Sequence, residues 1–290
     1  MRSLLKLARP HQYLKNGFVL LGPLFAHKWD SSTLTEGMYA FLAFCFMASA
    51  VYILNDIIDV DADRAHPVKR YRPLPSGMVS IASAKILLGS MIVASVVFST
   101  LTSWWVLLFT VSYLSINVLY SWHLKHIVIL DVFLISAGFM LRILAGTVGL
   151  GIAPSAWLLL CGLMVTLFLG FAKRRAELLM LESSDCESSM LTRKVLDHYT
   201  PQMLEQFISV TAACTIIAYG LYTVSPQTVA IHGNDNLIYT LPFVVYGIFR
   251  YIYLLHRRCR GNDTAKDLVQ DGHLLATVMA WVGVTMWVLS

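Results

Sequence analysis

The sequence predicts an all-α, polytopic membrane bundle of nine transmembrane helices, organised as a single domain over residues 1–290. Three observations carry this reading. A chain with 57% hydrophobic and 13% charged residues and a mean hydropathy of +0.65 lies outside the range of soluble domains. Apolar runs long enough to cross a bilayer, or nearly so, fall at about 14–29, 37–55, 80–101, 104–120, 127–150, 154–172, 204–224, 236–255 and 273–290, where one crossing needs roughly 20 residues. The third observation is that the cations are one-sided. With the N-terminus in the cytoplasm, the inner segments hold Arg2, Lys6, Arg9 and Lys15; Arg64, Lys69, Arg70 and Arg72; Lys125; Lys173, Arg174, Arg175, Arg193 and Lys194; and Arg250, Arg257, Arg258, Arg260 and Lys266. Of 22 Lys and Arg only Lys28 falls in an outer loop, with Lys85 and Arg142 inside helices. This positive-inside pattern predicts a cytoplasmic N-terminus and an outer C-terminus. The net charge of +5 therefore reports orientation, and its spread over five membrane-proximal segments rather than one soluble module gives no reason to propose nucleic-acid binding.

The elements follow in order. Arg9 to Gly17, RPHQYLKNG, is basic and amphipathic, suited either to anchoring on the inner leaflet or to presenting Lys15 and Asn16 to a ligand. The first apolar run is the weakest, because its core is short and holds Gly22 and Pro23. It reads as a span rather than a signal peptide, since Pro10 and His11 break the region before it and no small-residue cleavage site follows. The second run ends in NDIIDVDADRAHPVKRYRP, Asn55 to Pro73. On a helix Asn55, Asp56, Asp59 and Asp63 share roughly one face, and Arg64, Lys69, Arg70 and Arg72 follow. Crowded acids repel one another unless a cation joins them. Hard oxygens suit Mg²⁺ and Lys or Arg suit phosphate, so the stretch reads as a metal-diphosphate site, against the alternative of a solvated loop with internal salt bridges.

A turn at Leu74 to Gly77 leads into the third run, and a short link at Thr102 and Ser103 makes the third and fourth helices antiparallel neighbours. The fourth ends in YSWHLKHIVILD, which brings Tyr120, His123, Lys125, His126 and Asp131 to the inner face, though interface aromatics and a capping Asp would give the same pattern. Asp131 and Arg142 are eleven residues apart, three turns, and so fall on one stripe of the fifth helix. Such intramembrane charges face a bundle interior or a wet cavity; an ion pair or snorkelling also accounts for Arg142. The sixth helix runs into FAKRRAELL, where Lys173 and Arg174 are phosphate-contact candidates and Arg175 a stop-transfer anchor. Glu182 to Thr200 reads as a polar cytoplasmic loop with His198 on its surface, and Arg250 to His273 as a solvated cover. A polar cluster after both the second and the fourth helix hints only faintly at internal duplication. Five cysteines, Cys45, Cys161, Cys186, Cys214 and Cys259, show no paired metal spacing, and neither a disulfide nor zinc is expected.

These residues resemble a known family. NDIIDVDAD matches the NDxxDxxxD motif of the UbiA superfamily of intramembrane prenyltransferases, and YSWHLKHIVILD falls where that superfamily carries its second acidic motif. The similarity covers essentially the whole chain. It implies nine helices around a central cavity open to the cytoplasmic face, with Mg²⁺ and a diphosphate at its mouth. Four separated motifs, including RPHQYLKN and KRRAEL, agree in order with the polyprenyl-phosphate phosphoribosyltransferase branch. One departure favours that branch over aromatic-acceptor prenyltransferases: those carry a second acid in DxxxD spacing, whereas Val132, Phe133, Leu134 and Ile135 follow Asp131.

The resemblance implies transfer of 5-phosphoribose from 5-phosphoribosyl diphosphate to a polyprenyl phosphate. Asn55, Asp56, Asp59 and Asp63 are then the Mg²⁺ ligands, with Asp59, Asp63 and Asp131 serving catalysis. Lys69, Arg72, Lys125, Lys173 and Arg174 clamp phosphates. Tyr120, Asp131 and Arg142 line the sugar pocket, and Lys15 and Asn16 receive either phosphate. The competing readings are a prenyl diphosphate:aromatic acceptor transferase using the same metal site, and a transporter whose ion site is the acidic cluster. The sequence is compatible with a homo-oligomer and fixes no oligomeric state.

Overall fold

The computed structural model describes all residues except 1, 29, 66–68, 123, 183–195, 197, 258–269 and 290. Expectations for His123, Cys186, Arg193, Lys194, Arg258, Cys259, Arg260 and Lys266 therefore lie outside the described residues. Among those described, the regular structure is helical throughout. The chain opens with α1 (Arg2–Ala8), a 3₁₀ segment (Pro10–Leu20) and α2 (Leu21–Phe25). It continues through α3 (Ser31–Ile58), α4 (Val60–Ala65), α5 (Ile81–Thr102), α6 (Trp104–Trp122), α7 (Leu130–Gly146), α8 (Ala156–Glu182), α9 (Pro201–Val224), α10 (Pro226–His232), α11 (Leu241–Arg257) and α12 (Gly272–Leu289).

Among the described residues seven helical stretches are long and apolar enough to cross a membrane, from Ser31–Ile58 to Asn236–His256, and Gly272–Val288 is a shorter apolar helix. The first expected span, 14–29, takes another form. It is an eleven-residue 3₁₀ run followed by the five-residue α2. Gly22 and Pro23 disfavour a continuous α-helix there, and His27 closes the segment at φ 51. The α3 helix starts where the sequence supplies a cap: the Asp30 carboxylate accepts from the Thr33 N–H at 2.9 Å. That bond holds the Asp30 carboxyl below its usual range.

Residues 1–124 and 141–153 form one compact unit, and 125–140 and 154–290 another. In the first, α3 packs against the 3₁₀ segment, α5 and α6 through Val19, Phe44, Met47, Val51, Val106 and Tyr113. Lipid is as apolar as these side chains, so close packing and hydrogen bonds between helices matter more than burial. Three such bonds are supplied: Ser95 Oγ donates to the Ala43 carbonyl at 2.8 Å, Ser99 pairs with Thr110 at 3.0 Å, and Ser103 donates to the Gly149 carbonyl at 2.7 Å. Backbones also meet directly. A Cβ on Gly22 would fall 1.8 Å from the Gly146 oxygen, and one on Gly146 would fall 1.7 Å from the Val19 oxygen; only glycine admits that approach.

In the second unit α8 and α9 pack along their lengths, with the Phe171 ring tilted against that of Phe207 and Phe168 edge-on to Tyr251. An apolar cavity of about 260 Å³ lies beside α8, lined among others by Val165, Phe168, Val244, Ile248, Leu274 and Trp281.

Candidate active site

Two polar clusters stand out, one in each unit. The first is built on the C-terminal end of α3. The helix ends at Ile58 and resumes at Val60, so Asp59 occupies a break rather than a continuous face. This separates the four expected metal ligands by environment. Asp56 and Asp63 are each 3% exposed, Asn55 is half-buried, and Asp59 is exposed with no ion pair to a described residue. Arg72 Nη1 donates to Asp63 at 2.7 Å and to Asp56 at 3.3 Å, tying the two buried carboxylates together. Arg9 Nη2 donates to the same Asp56 oxygen at 2.6 Å, and Lys69 Nζ lies 3.9 Å from Asp63. Asn55 Oδ1 accepts from the Ser121 hydroxyl at 2.8 Å.

Arg9 reaches Asp56 from a strained start. It sits at φ 53, left-handed for a residue with a side chain. Ser49 Oγ donates to the Ala8 carbonyl at 2.8 Å, and the guanidinium lies 5.0 Å from the centre of the Tyr52 ring. Three cations thus face two buried carboxylates. The side chains of Lys69 and Arg72 remain 42% and 35% exposed, so an anion can reach both. Among the described residues no three acidic, His or Cys side chains close on one point. That is compatible with Mg²⁺, which is held through one or two carboxylates plus substrate phosphates and water rather than in an all-protein cage. The oxygen donors of Asn55, Asp56, Asp59 and Asp63 fit such a site in kind.

The second cluster joins α7 to α8. Asp131, in the first turn of α7, and Arg174 are both fully enclosed at 0% exposure, and Arg174 Nε donates to Asp131 Oδ2 at 2.6 Å. Arg174 also pairs with Glu177, which lies 3.9 Å from Lys173. Tyr199 donates to the other Asp131 oxygen at 2.9 Å and accepts the Ile129 N–H at 2.7 Å. Burial first, and then the neighbouring carboxylate, push the Tyr199 hydroxyl upward, so it stays protonated and donates at neutral pH. Asp131 and Arg174, expected at the sugar and the phosphates, are therefore bonded to each other, and half-exposed Lys173 is the member of this cluster open to a ligand.

The remaining candidates separate. Asp131 and Arg142 belong to different units. Arg142 is buried and donates to Asn16 Oδ1 at 2.7 Å, with its guanidinium 4.5 Å from the Tyr113 ring centre and 5.3 Å from that of Phe44. Asn16, enclosed itself, also donates to Cys45 Sγ at 3.2 Å. Lys15, Tyr120 and Lys125 are half-buried. Arg175, expected as an anchor at the membrane surface, is buried instead: it donates to Glu205 at 2.7 Å and to the Leu255 carbonyl at 3.3 Å. Sequence reasoning missed Arg9, Ser121 and Tyr199 as site residues. For Tyr199 a signal existed, because Thr200 and Pro201 are the N-cap and first residue of α9 and fix where the loop ends.

The helices and their cation-rimmed acids fit an integral membrane transferase, the class that the comparisons with known proteins give. The chain belongs to the UbiA prenyltransferase family, whose profile matches residues 17–270. It is 33% identical to a decaprenyl-phosphate phosphoribosyltransferase of Mycolicibacterium smegmatis, over 97% of this chain and 90% of the relative. Likewise it is 34% identical to one from Corynebacterium glutamicum, over 97% of this chain and 84% of that one. A UbiA homologue from Archaeoglobus fulgidus, solved with GPP and Mg²⁺, shares the fold at a TM-score of 0.73 and 15% identity, each chain being covered to 99%.

Proposed function

We propose that this transferase moves 5-phosphoribose from 5-phosphoribosyl diphosphate to a polyprenyl phosphate, releasing diphosphate. The observation that carries the reading is the Arg72 bridge between Asp56 and Asp63 with Lys69 beside it, a site of both signs suited to a multiply phosphorylated, metal-bearing donor. The names of the relatives support the same reading. Asn55, Asp56, Asp59 and Asp63 would hold Mg²⁺, and the bound ion supplies charge neutralisation for the leaving diphosphate. Arg72 and Lys69 hold donor phosphates. A lone pair on the lipid phosphate forms the new bond to ribose C1, and the C1–oxygen bond to diphosphate breaks with its electrons going to the leaving group. No protein base is needed, because a phosphate monoester with a second pKa of about 6 is already an anion at neutral pH.

The half-buried cations of the second unit, Lys125 and Lys173, receive the lipid phosphate, with Asp131 and Arg174 supporting Lys173 through Glu177. Tyr120 and the Arg142–Asn16 pair, with Lys15, belong to the donor's sugar and 5-phosphate. The apolar cavity beside α8 is chemically suited to part of an isoprenoid chain. A soluble donor and a lipid acceptor meet at a membrane surface, and the one-sided distribution of Lys and Arg supports a cytoplasmic position for it, with the N-terminus inside and the C-terminus outside. Purified protein given labelled 5-phosphoribosyl diphosphate, polyprenyl phosphate and Mg²⁺ should yield a lipid product heavier by one phosphoribosyl group. Absence of that product, with prenylation of an aromatic acid instead, would reverse the assignment.

A further inference from the structure

The turn entering α7 holds a conformation that its own residue resists. Ile129 is β-branched and lies at φ 68, so something beyond the turn must maintain it. The buried Tyr199 hydroxyl meets that need, accepting the Ile129 N–H at 2.7 Å while donating to Asp131 Oδ1 at 2.9 Å. The other Asp131 oxygen aligns Arg174, Arg174 pairs with Glu177, and Glu177 lies beside Lys173. A continuous line of contacts therefore runs from an enclosed phenol to a half-exposed ammonium.

We infer that Tyr199 is a positioning residue, whose hydroxyl locks the strained Ile129 turn onto Asp131 and so fixes Lys173 for the phosphate of the lipid acceptor. This rests on the reading that Lys173 receives that phosphate. Without the hydroxyl, the Ile129 N–H and one Asp131 oxygen lose their partner, Asp131 turns, and the Arg174–Glu177 pair that sets Lys173 shifts with it.

The test compares wild type, Tyr199→Phe and the double variant Tyr199→Phe with Ile129→Gly, purified alike. Initial rates against polyprenyl phosphate should show the acceptor KM raised about tenfold in Tyr199→Phe at similar kcat, with the donor KM within about twofold. Glycine adopts positive φ without strain, so the double variant should recover part of that loss, the share that comes from the turn rather than from the unpaired Asp131 oxygen. A lowered unfolding temperature with an unchanged acceptor KM would reduce Tyr199 to packing and overturn the inference, as would a rise in donor KM alone. Reactivity of Lys173 toward an amine-acylating reagent, read by peptide mass, should change in Tyr199→Phe; unchanged reactivity also overturns it. Because that last readout needs no turnover, a wild-type enzyme without transfer activity would count against the substrate assignment while Lys173 reactivity still decides the positioning.

Discussion

Asp59 and Asp56 are three residues apart and face opposite fates. Asp59 is exposed and carries no ion pair to a described residue, so Asn in its place leaves the fold's own contacts intact. Asp59→Asn is expected to lower kcat by at least about a hundredfold, as expected for loss of a charge that serves the transition state, with no change in unfolding temperature; retained activity would remove Asp59 from the site. The enclosed pair behaves in the opposite way. Arg174→Met should cost about 3–5 kcal/mol of stability because it strands the Asp131 carboxylate, while Asp131→Leu together with Arg174→Met should be far less damaging than either alone. A double-mutant cycle by thermal unfolding in detergent checks this, and additive effects would contradict it. Residue types and spacing were enough to group Asp56, Asp63 and Arg72, which the fold brings into contact. They could not show that Asp131 and Arg174 neutralise each other, because residues 43 apart in sequence meet only through packing.

At the scale of elements, the apolar pattern located α5, α6, α7, α9, α11 and α12 to within about five residues, and fell about six residues short of the start of α3 and about ten short of the end of α8. It failed at the first run and at Asp59. Both failures have local causes that hydropathy averages away: Gly22, Pro23 and an eleven-residue 3₁₀ run in one case, and a break at Asp59 in the other. The 3₁₀ run rises about 2.0 Å per residue against about 1.5 Å in an α-helix, so it places Asn16 beside Arg142 by a different path from the one helical spacing suggests. Its close approach to the end of α7 depends on missing side chains. Gly146→Ala puts a methyl 1.7 Å from the Val19 carbonyl oxygen, a backbone atom with no rotamer to yield. We expect it to destabilise by about 1–3 kcal/mol and to lower the unfolding temperature in detergent, whereas Gly17→Ala, with nothing within 4 Å, should not.

For the whole molecule the charge pattern makes a claim about sides. Single cysteines at Ser76 and Asp235, both exposed, should label from the cytoplasmic and the outer side of sealed vesicles respectively; labelling from the same side would refute the orientation. The α6 helix gives a matching length. Exposed Trp104 and Trp122 begin and end it, and its rise of about 1.5 Å per residue separates them by about 27 Å, close to the depth of a hydrocarbon core. Fold class and membrane character were thus open to a reader of the sequence. The grouping of residues into two compact units was not, since it divides α7 within one unbroken apolar run.

The Arg72 bridge makes the buried acid pair an ion exchanger. Asp56 and Asp63 already hold counter-ions from their own chain, so a lone Mg²⁺ would have to compete with a guanidinium for them. A magnesium diphosphate brings both signs, giving Arg72 new oxygens as it gives the acids a new cation. Millimolar Mg²⁺ alone should therefore barely shift the unfolding temperature, while Mg²⁺ with diphosphate should raise it in proportion to the logarithm of ligand concentration. Asp56 and Asp63 would then act as a resin preloaded with arginine, which admits the salt and refuses the bare ion.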